Sequence, residues 1–211
     1  MTHTSRRSFN HNDFYHRLLL RAVPPDCARA LDIGCGSGLF ARKLANKAGF
    51  VEAIDSGPHV IDDARKQSSG IANLMYVQAD FADYVLHPDG YQFVSCLASL
   101  HHMAFADTMS RLRDALAPGG VLAVLGCYRE ATLADYLHAA VAVPANLAAR
   151  AALRPNVETN PPVRTPEMSL AEIKAEASRL VPGAEIRRRL FWRYTLLYRR
   201  PQRVGADAYP D

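Results

Sequence analysis

Three acidic side chains recur at the ends of apolar segments, and the first of them precedes a glycine-rich turn. The turn is GCGSG (Gly34–Gly38), in which every second residue is glycine. Asp32 lies just before this turn, whereas Asp55 and Asp80 end the next two apolar segments. Glycines let a ligand approach the backbone, and N–H groups at the start of a following helix point towards it. A carboxylate beside them favours a ligand that carries a positive charge.

The spacing of the glycines separates this turn from the dinucleotide-binding fingerprint G-x-G-x-x-G. That fingerprint holds a pyrophosphate at a helix N-terminus, and Asp32 would repel a pyrophosphate but attract an amino group. Asp55 follows the glycines by about 20 residues, a distance at which an acid accepts hydrogen bonds from ribose hydroxyls. Asp80 is expected to accept a hydrogen bond from an adenine amino group, and Phe81 places an aromatic ring beside it.

Each acid also has a structural interpretation, which remains open. Asp32 alternatively braces the glycine turn by accepting backbone hydrogen bonds, Asp55 caps the helix that follows it, and Asp80 is an ordinary turn residue. The three acids are expected at one edge of one sheet, because the carboxyl ends of parallel strands meet there. This shared position favours a ligand with an amino-acid end, a ribose and an adenine.

Short apolar segments alternate with helical patterns from Ala28 to Gly126, which predicts a parallel sheet covered on both faces. APGG (117–120) is expected to end the last of these helices and to turn the chain into the fifth strand. The predicted strands are residues 28–33, 50–55, 73–80, 91–98 and 121–126, and the predicted helices are residues 38–47, 58–68 and 106–116.

The pattern changes beyond Gly126. The alternation in EIRRRLFWRYTLLYRR predicts two antiparallel strands with a tight bend near Arg193, added at the sheet edge. Residues 8–23 predict a helix that lies across the strand ends with Leu18, Leu19 and Leu20 partly buried. Other expected segments are an Ala-rich helix (131–153), a linker (154–166) and a helix (169–180).

One domain is expected, because 211 residues bury a sizeable core without requiring a second domain. Its expected parts are an N-terminal cap helix (1–24), a cofactor-binding core (25–127), a lid or substrate insertion (128–168), and a C-terminal helix and hairpin (169–211).

Five segments occur in a characteristic order: LDIGCGSG, AIDSG, VQADF, LHHM and LRDALAPGGVLAV. Together they resemble the class I S-adenosylmethionine-dependent methyltransferases over roughly residues 28–124. The resemblance implies an α/β fold, a Rossmann-like doubly wound sheet of seven strands that is mostly parallel and carries a C-terminal antiparallel hairpin. It also implies S-adenosyl-L-methionine as cofactor and S-adenosyl-L-homocysteine as product. The residues expected to bind it are Asp32, Gly34, Cys35, Gly36, Asp55, Ser56, Asp80 and Phe81.

His101 and His102 are the candidate general bases, because they directly follow the fourth strand. Neighbouring side chains near a strand end point in opposite directions, so only one of them is expected in the site; helix capping is the alternative for each. On the N-terminal helix, Tyr15 or His16 is expected to contact the cofactor or the substrate. The alternative is the ordinary polar face of an amphipathic helix. No metal site is expected, because nothing near the histidines supplies further ligands at a suitable spacing.

The leading hypothesis is a methyltransferase acting on an O, N or C atom of a small molecule. Alternatives are an RNA or protein methyltransferase that docks its substrate through the basic C-terminal strands, a cofactor-binding protein without turnover, and an NAD(P) oxidoreductase. Asp32 and the glycine spacing disfavour the oxidoreductase. NPPV (Asn160–Val163) is interpreted as a linker, which weakens the case for amino methylation of a nucleic acid.

Composition supports an ordinary cytoplasmic protein. The chain is 49% hydrophobic and 22% charged, with a formal net charge of +4. Its four cysteines show no C-x-x-C spacing and are expected to be reduced. No apolar run approaches the roughly 20 residues that span a bilayer, so no membrane partner is expected. A nucleic-acid partner is not favoured, and a homodimer is left open.

Overall fold

The computed structural model describes residues 11–132, 165–190 and 192–202. The strands are β1 (Arg29–Ile33), β2 (Phe50–Asp55), β3 (Leu74–Gln78), β4 (Tyr91–Leu97), β5 (Leu116–Cys127), β6 (Glu185–Arg189) and β7 (Arg193–Arg199). The helices are α1 (His11–Leu20), α2 (Leu39–Leu44), α3 (Pro58–Gln67), α4 (Phe105–Ala115) and α5 (Leu170–Leu180), with a 3₁₀ turn at Leu100–His102. The expected Ala-rich helix and nearly all of the lid and linker lie outside the described residues.

The seven strands form one sheet in the order β3-β2-β1-β4-β5-β7-β6. The first five strands pair in parallel, and β7 runs antiparallel to both β5 and β6. The predicted fold class is therefore confirmed, including the C-terminal hairpin. The chain leaves β1 towards β2 and β3 and then returns to β4, so strand order reverses beside β1. In open α/β sheets, ligands bind at the carboxyl ends of the strands at such a point.

Two hydrophobic cores cover the two faces of the sheet, and neighbouring residues of one strand enter different cores. On β1, Ala30 packs with residues of α1, α2 and α3, whereas Leu31 packs with residues of α4 and α5. Leu18 and Leu20 of α1 are partly buried, as predicted, whereas Leu19 is fully buried. Burying one such leucine stabilises the fold by roughly 1.5–3 kcal/mol. The strands that carry the site are therefore fixed from both faces.

The start of α5 shows how local sequence fixes one helix boundary. Ser169 is the N-cap: its Oγ accepts a hydrogen bond from the Glu172 N–H at 3.3 Å. The Glu172 carboxylate in turn accepts a hydrogen bond from the Ser169 N–H at 2.7 Å. This reciprocal capping box satisfies two donors that the helix itself leaves unpaired. The predicted start of the helix at Ser169 is confirmed.

The predicted role of APGG is wrong in detail. Helix α4 ends at Ala115 and β5 begins at once at Leu116, so that residues 117–120 lie within the strand. Tyr91 pairs with Leu116, but Phe93 already pairs with Val121, and the extra residues of β5 bulge out of the ladder. Glycine is common both in β-bulges and in turns. The sequence alone does not show which of these structures the APGG segment forms.

The bend between β6 and β7 lies slightly before its predicted position. Strand β6 ends at Arg189 and β7 begins at Arg193, with Trp192 between them at a φ of 57°. Because β7 pairs with β5 from Cys127 inwards, this bend lies at the carboxyl edge of the parallel strands. None of the described helices combines the length and the apolar character that crossing a membrane requires.

Candidate active site

The glycine turn connects β1 to α2, and all three of its glycines have positive φ angles, of 65°, 53° and 75°. A Cβ atom on Gly34 would collide with the hydroxyl of Ser99, and one on Gly38 would collide with the hydroxyl of Tyr76. A Cβ atom on Gly36 would meet no atom of the described residues within 4 Å. Two of the glycines therefore make room for the protein's own side chains. Only Gly36 exposes backbone to open space, where a ligand can approach.

Asp32, the fourth residue of β1, is almost completely buried, with 1% of its surface exposed. Its Oδ1 accepts a hydrogen bond of 2.7 Å from Ser95 Oγ, but no donor in the described part of the chain reaches Oδ2. Burial raises the pKa of Asp32 to about 7; the bond from Ser95 lowers this pKa, and the charge of Asp55 raises it. A buried carboxylate oxygen without a donor is costly, so it fits a ligand that brings an amino group.

Asp55 ends β2 and ties the glycine turn to the start of α3. Its Oδ2 accepts the N–H of Gly36 and its Oδ1 accepts the N–H of Gly57, both at 2.9 Å. Gly57 is the N-cap of α3. The bracing role considered for Asp32 thus belongs to Asp55, which also serves the helix start that follows it. An ionised carboxylate offers about four lone-pair sites, so sites for ribose hydroxyls remain, next to the exposed Ser56.

Asp80 and Phe81 lie just beyond β3, and the structure separates their roles. Asp80 is exposed and accepts a hydrogen bond of 2.9 Å from the Ala82 N–H. Phe81 is 5% exposed and packs in the core, with the Arg111 guanidinium 4.3 Å from its ring centroid. The Phe81 ring packs in the hydrophobic core, and its contact with adenine stays a prediction. Asp80 is the side chain that this strand end presents.

Cys35 contributes backbone rather than a reactive thiol. Its N–H donates to the Ile54 carbonyl at 3.0 Å, which ties the turn to β2. Burial raises the pKa of its thiol, and the negative charges of Asp32 and Asp55 raise it further. The thiol therefore stays protonated and is a poor nucleophile.

His101 and His102 stand together on the 3₁₀ turn after β4. Their ring centroids are 4.0 Å apart with an interplanar angle of 40°, so the prediction that they point in opposite directions is wrong. A 3₁₀ turn rotates neighbouring side chains by about 120°, whereas a strand alternates them. Ser99 caps this turn and lies 3.2 Å from the Gly34 carbonyl. The Ser99 side chain therefore connects the 3₁₀ turn that carries the histidines to the glycine turn.

The side chains of Tyr15 and His16 connect α1 to the bend between β6 and β7 and to α2. The Tyr15 hydroxyl donates to the Leu190 carbonyl at 3.1 Å, and burial raises its pKa. His16 Nδ1 lies 2.9 Å from Lys43 Nζ, and burial, followed by the Lys43 charge, lowers the pKa of His16 to about 3. The proton of the Tyr15 hydroxyl is thus directed to the bend between β6 and β7, and the contact of Tyr15 or His16 with the cofactor or the substrate stays a prediction. Both residues hold α1 beside the carboxyl edge.

Three further side chains, which no sequence pattern indicates, shape the candidate site: Ser95, Ser99 and Tyr76. Tyr76 lies on β3, and its hydroxyl is 2.9 Å from Ser68 Oγ and 3.4 Å from the Gly38 carbonyl. Single serine and tyrosine residues carry no motif. Of the three, Ser95 alone could be predicted, because the register between β1 and β4 places it opposite Asp32.

The basic segment of β6 does not form one basic face. Arg187 pairs with Glu185 and, with Arg189 and Arg21, lines a groove of about 310 Å³ between α1 and the hairpin. Arg188 points to the other face, 5.9 Å from the Tyr128 ring centroid. Alternation along the strand separates the arginines. The docking of RNA or a protein on this surface stays a prediction without support from the geometry.

The sheet order, the antiparallel β7 and the glycine turn next to Asp32 are together typical of class I methyltransferases. Residues 30–120 match the family model described as methyltransferase domain. The chain is 32% identical over 195 residues to an uncharacterised methyltransferase of Mycobacterium tuberculosis, covering 92% of this chain and 98% of that protein. The chain belongs to the class I S-adenosylmethionine-dependent methyltransferases, as its sequence predicts.

Two further comparisons bear on the fold and the reaction. The chain is 35% identical over 127 residues to a ubiquinone biosynthesis O-methyltransferase of Xylella fastidiosa, covering 57% of this chain and half of that enzyme. The crystal structure of an N-methyltransferase of Bradyrhizobium japonicum with S-adenosyl-L-homocysteine superposes with a TM-score of 0.62. That match covers 92% of this chain and 89% of the other at 15% identity, and it shows the shared fold.

Proposed function

We propose that this enzyme transfers a methyl group from S-adenosyl-L-methionine to an oxygen atom of a small organic acceptor. The observation that carries the cofactor half of the proposal is the open backbone of Gly36 beside the buried Oδ2 of Asp32, which no donor among the described residues reaches. When bound, the cofactor supplies a methyl group already activated on a sulfonium. The chain must therefore bind, align the acceptor and exclude water.

Three neighbouring strand ends would hold the three parts of the cofactor. Asp32 and the Gly34–Gly36 backbone would bind the amino-acid end at β1, Asp55 and Ser56 the ribose at β2, and Asp80 the adenine beyond β3. The spatial order β1-β2-β3 is the covalent order of these three groups. This agreement between sheet order and ligand order supports the assignment of roles.

The acceptor is assigned to the region beyond β4 and β5. Strand β4 lies on the other side of β1 from β2, and its end carries His101 and His102. A hydroxyl acceptor must lose its proton during transfer, and histidine is the residue most often used to take such a proton. Support for oxygen comes from the histidine pair and from the identity to a relative named as an O-methyltransferase.

The test uses the full chain, labelled S-adenosyl-L-methionine and a panel of phenols and catechols with their aniline counterparts. We expect label to appear on hydroxyl compounds, whose proton a histidine of the pair would take during transfer. Methylation of the anilines alone would contradict the choice of oxygen. Failure of calorimetry to detect binding of S-adenosyl-L-homocysteine would contradict the proposed site itself.

A further inference from the structure

The hydrogen bond between Ser95 and Asp32 lies inside the sheet, hidden from solvent. The two residues are register partners on the parallel strands β4 and β1. Ser95 is fully buried and Asp32 is 1% exposed. Ser95 Oγ lies 2.7 Å from Asp32 Oδ1 and 3.2 Å from the Leu31 carbonyl. Because a serine hydroxyl has one proton and the carboxylate is the closer and stronger acceptor, the proton is directed to Asp32.

The surroundings of Asp32 oppose its ionisation in the free protein. From β2, the carboxylate of Asp55 adds negative charge. From β4 and the turn, Cys96 and Cys35 present thiols whose pKa values burial raises, so they stay neutral. Ser95 is the one donor that meets the Asp32 carboxylate within the described chain.

The cations of the neighbouring helix α2 are engaged elsewhere. Arg42 donates to the Ser37 carbonyl at 2.7 Å and to Gln67 Oε1 at 3.1 Å. Lys43 Nζ lies 2.9 Å from His16 Nδ1. Because no donor among the described residues reaches Asp32 Oδ2, a ligand would supply its counter-cation.

We propose that Ser95 positions Asp32 and favours its ionised form, so that the carboxylic acid releases its proton to solvent as the ammonium group of the cofactor binds. This inference rests on the proposed function, because it takes the amino-acid end of the cofactor as the ligand of Asp32. The O–H bond of the acid breaks, its electron pair stays on the carboxylate, and the ligand ammonium replaces the proton as the balancing positive charge. Ser95 is thus a positioning residue that acts through Asp32.

The proposal predicts a definite dependence of affinity on pH. With a pKa of about 7 in the free protein, Asp32 is mostly neutral below pH 7 and must lose a proton on binding. The apparent affinity then falls about tenfold for each pH unit below this pKa. Removing the Ser95 hydroxyl raises this pKa further, so the fall begins at a higher pH.

The experiment measures binding of S-adenosyl-L-homocysteine to the full chain by calorimetry between about pH 5.5 and about pH 6.5, a range that stays at least one pH unit below the titration of α-amino groups. Repeating it in buffers of different ionisation enthalpy counts the protons released. For the unaltered chain we expect close to one proton near pH 6, a result that requires no variant.

Ser95→Ala and Ser95→Thr form a matched pair, because threonine keeps the hydroxyl and is favoured in strands. Ser95→Ala should bind about tenfold more weakly across the pH range, while Ser95→Thr should bind as the unaltered chain does. Asp32→Asn should bind weakly and without proton release. Thermal unfolding of each variant reports whether the fold is kept.

The outcomes separate this inference from the function on which it rests. No binding at any pH overturns the proposed site. Binding that is independent of pH, or that releases no proton, overturns the coupling and leaves the methyltransferase site intact. Equal affinities of the folded Ser95→Ala and Ser95→Thr variants overturn the role of the Ser95 hydroxyl.

Discussion

Replacing Gly36 by alanine tests separately how this position affects the affinity for the cofactor and the stability of the fold. The added Cβ meets no atom within 4 Å in residues 11–132, 165–190 and 192–202, so it creates no clash with this part of the protein. The backbone at a φ of 53° is strained for alanine, which costs roughly 1–2 kcal/mol. For a chain of this size, each kcal/mol lowers Tm by about 2–4 °C. Gly36→Ala should therefore remain folded.

The same methyl group occupies the space through which the cofactor reaches the turn. Displacing the ligand and weakening its contacts with a charged group costs about 1.5–3 kcal/mol, which corresponds to a loss of affinity of about 10- to 100-fold. Calorimetry with S-adenosyl-L-homocysteine measures this loss, and thermal unfolding measures the cost of the backbone strain.

Gly70→Ala is the matched control. Gly70 also has a positive φ, of 92°, and a Cβ there also meets nothing within 4 Å, but it lies between α3 and β3, outside the proposed site. We expect a similar loss of Tm with unchanged affinity. If Gly36→Ala binds as tightly as Gly70→Ala, the open space over Gly36 is not the cofactor site, and the reasoning from glycine geometry fails.

Three further predictions follow from the same structure. His101→Ala or His102→Ala should lower kcat for a hydroxyl acceptor by about 10²- to 10⁴-fold without changing the affinity for S-adenosyl-L-homocysteine; full turnover in both variants would exclude a histidine base. Asp55→Ala should weaken binding of that ligand at least tenfold and also lower Tm, because it removes the acceptor of the Gly36 and Gly57 N–H groups as well as the ribose partner; an unchanged Kd would remove Asp55 from the site. Ser169→Ala should reduce the free energy of unfolding by about 1 kcal/mol in urea titrations and leave binding intact, since it deletes only a helix cap; an unchanged free energy would show that the cap contributes nothing.

The sheet was predictable because each strand is a short apolar segment and each crossover helix has its own amphipathic pattern. Both kinds of signal are local, so no knowledge of partners was needed. The APGG segment required more: whether glycines make a turn or a bulge depends on the register of β4 against β5. Sequence patterns around one residue do not contain that register.

The positions of the site acids were predictable, but the contacts of their side chains were not. Asp32 lies one residue before the end of β1, Asp55 ends β2 and Asp80 lies just beyond β3, close to the positions that the alternating segments indicate. Which acid braces the turn depends on distances across strands, and these assign that role to Asp55.

Side-chain direction was the least predictable property. The proximity of His101 and His102 follows from a 3₁₀ turn that their residue types do not indicate. The burial of Phe81 follows from its packing in a hydrophobic core shared with residues of other elements. The Tyr15 hydroxyl finds its acceptor at Leu190, far along the chain. Such long-range contacts are visible only when the elements are assembled.

A crystal structure of the full chain with S-adenosyl-L-homocysteine tests the central claim most directly. We predict that the ligand's amino group lies within hydrogen-bond distance of Asp32 Oδ2, with its amino-acid portion against the Gly36 backbone. A ligand seated elsewhere, with Asp32 Oδ2 still without a donor, would contradict the assignment of this carboxylate to the cofactor.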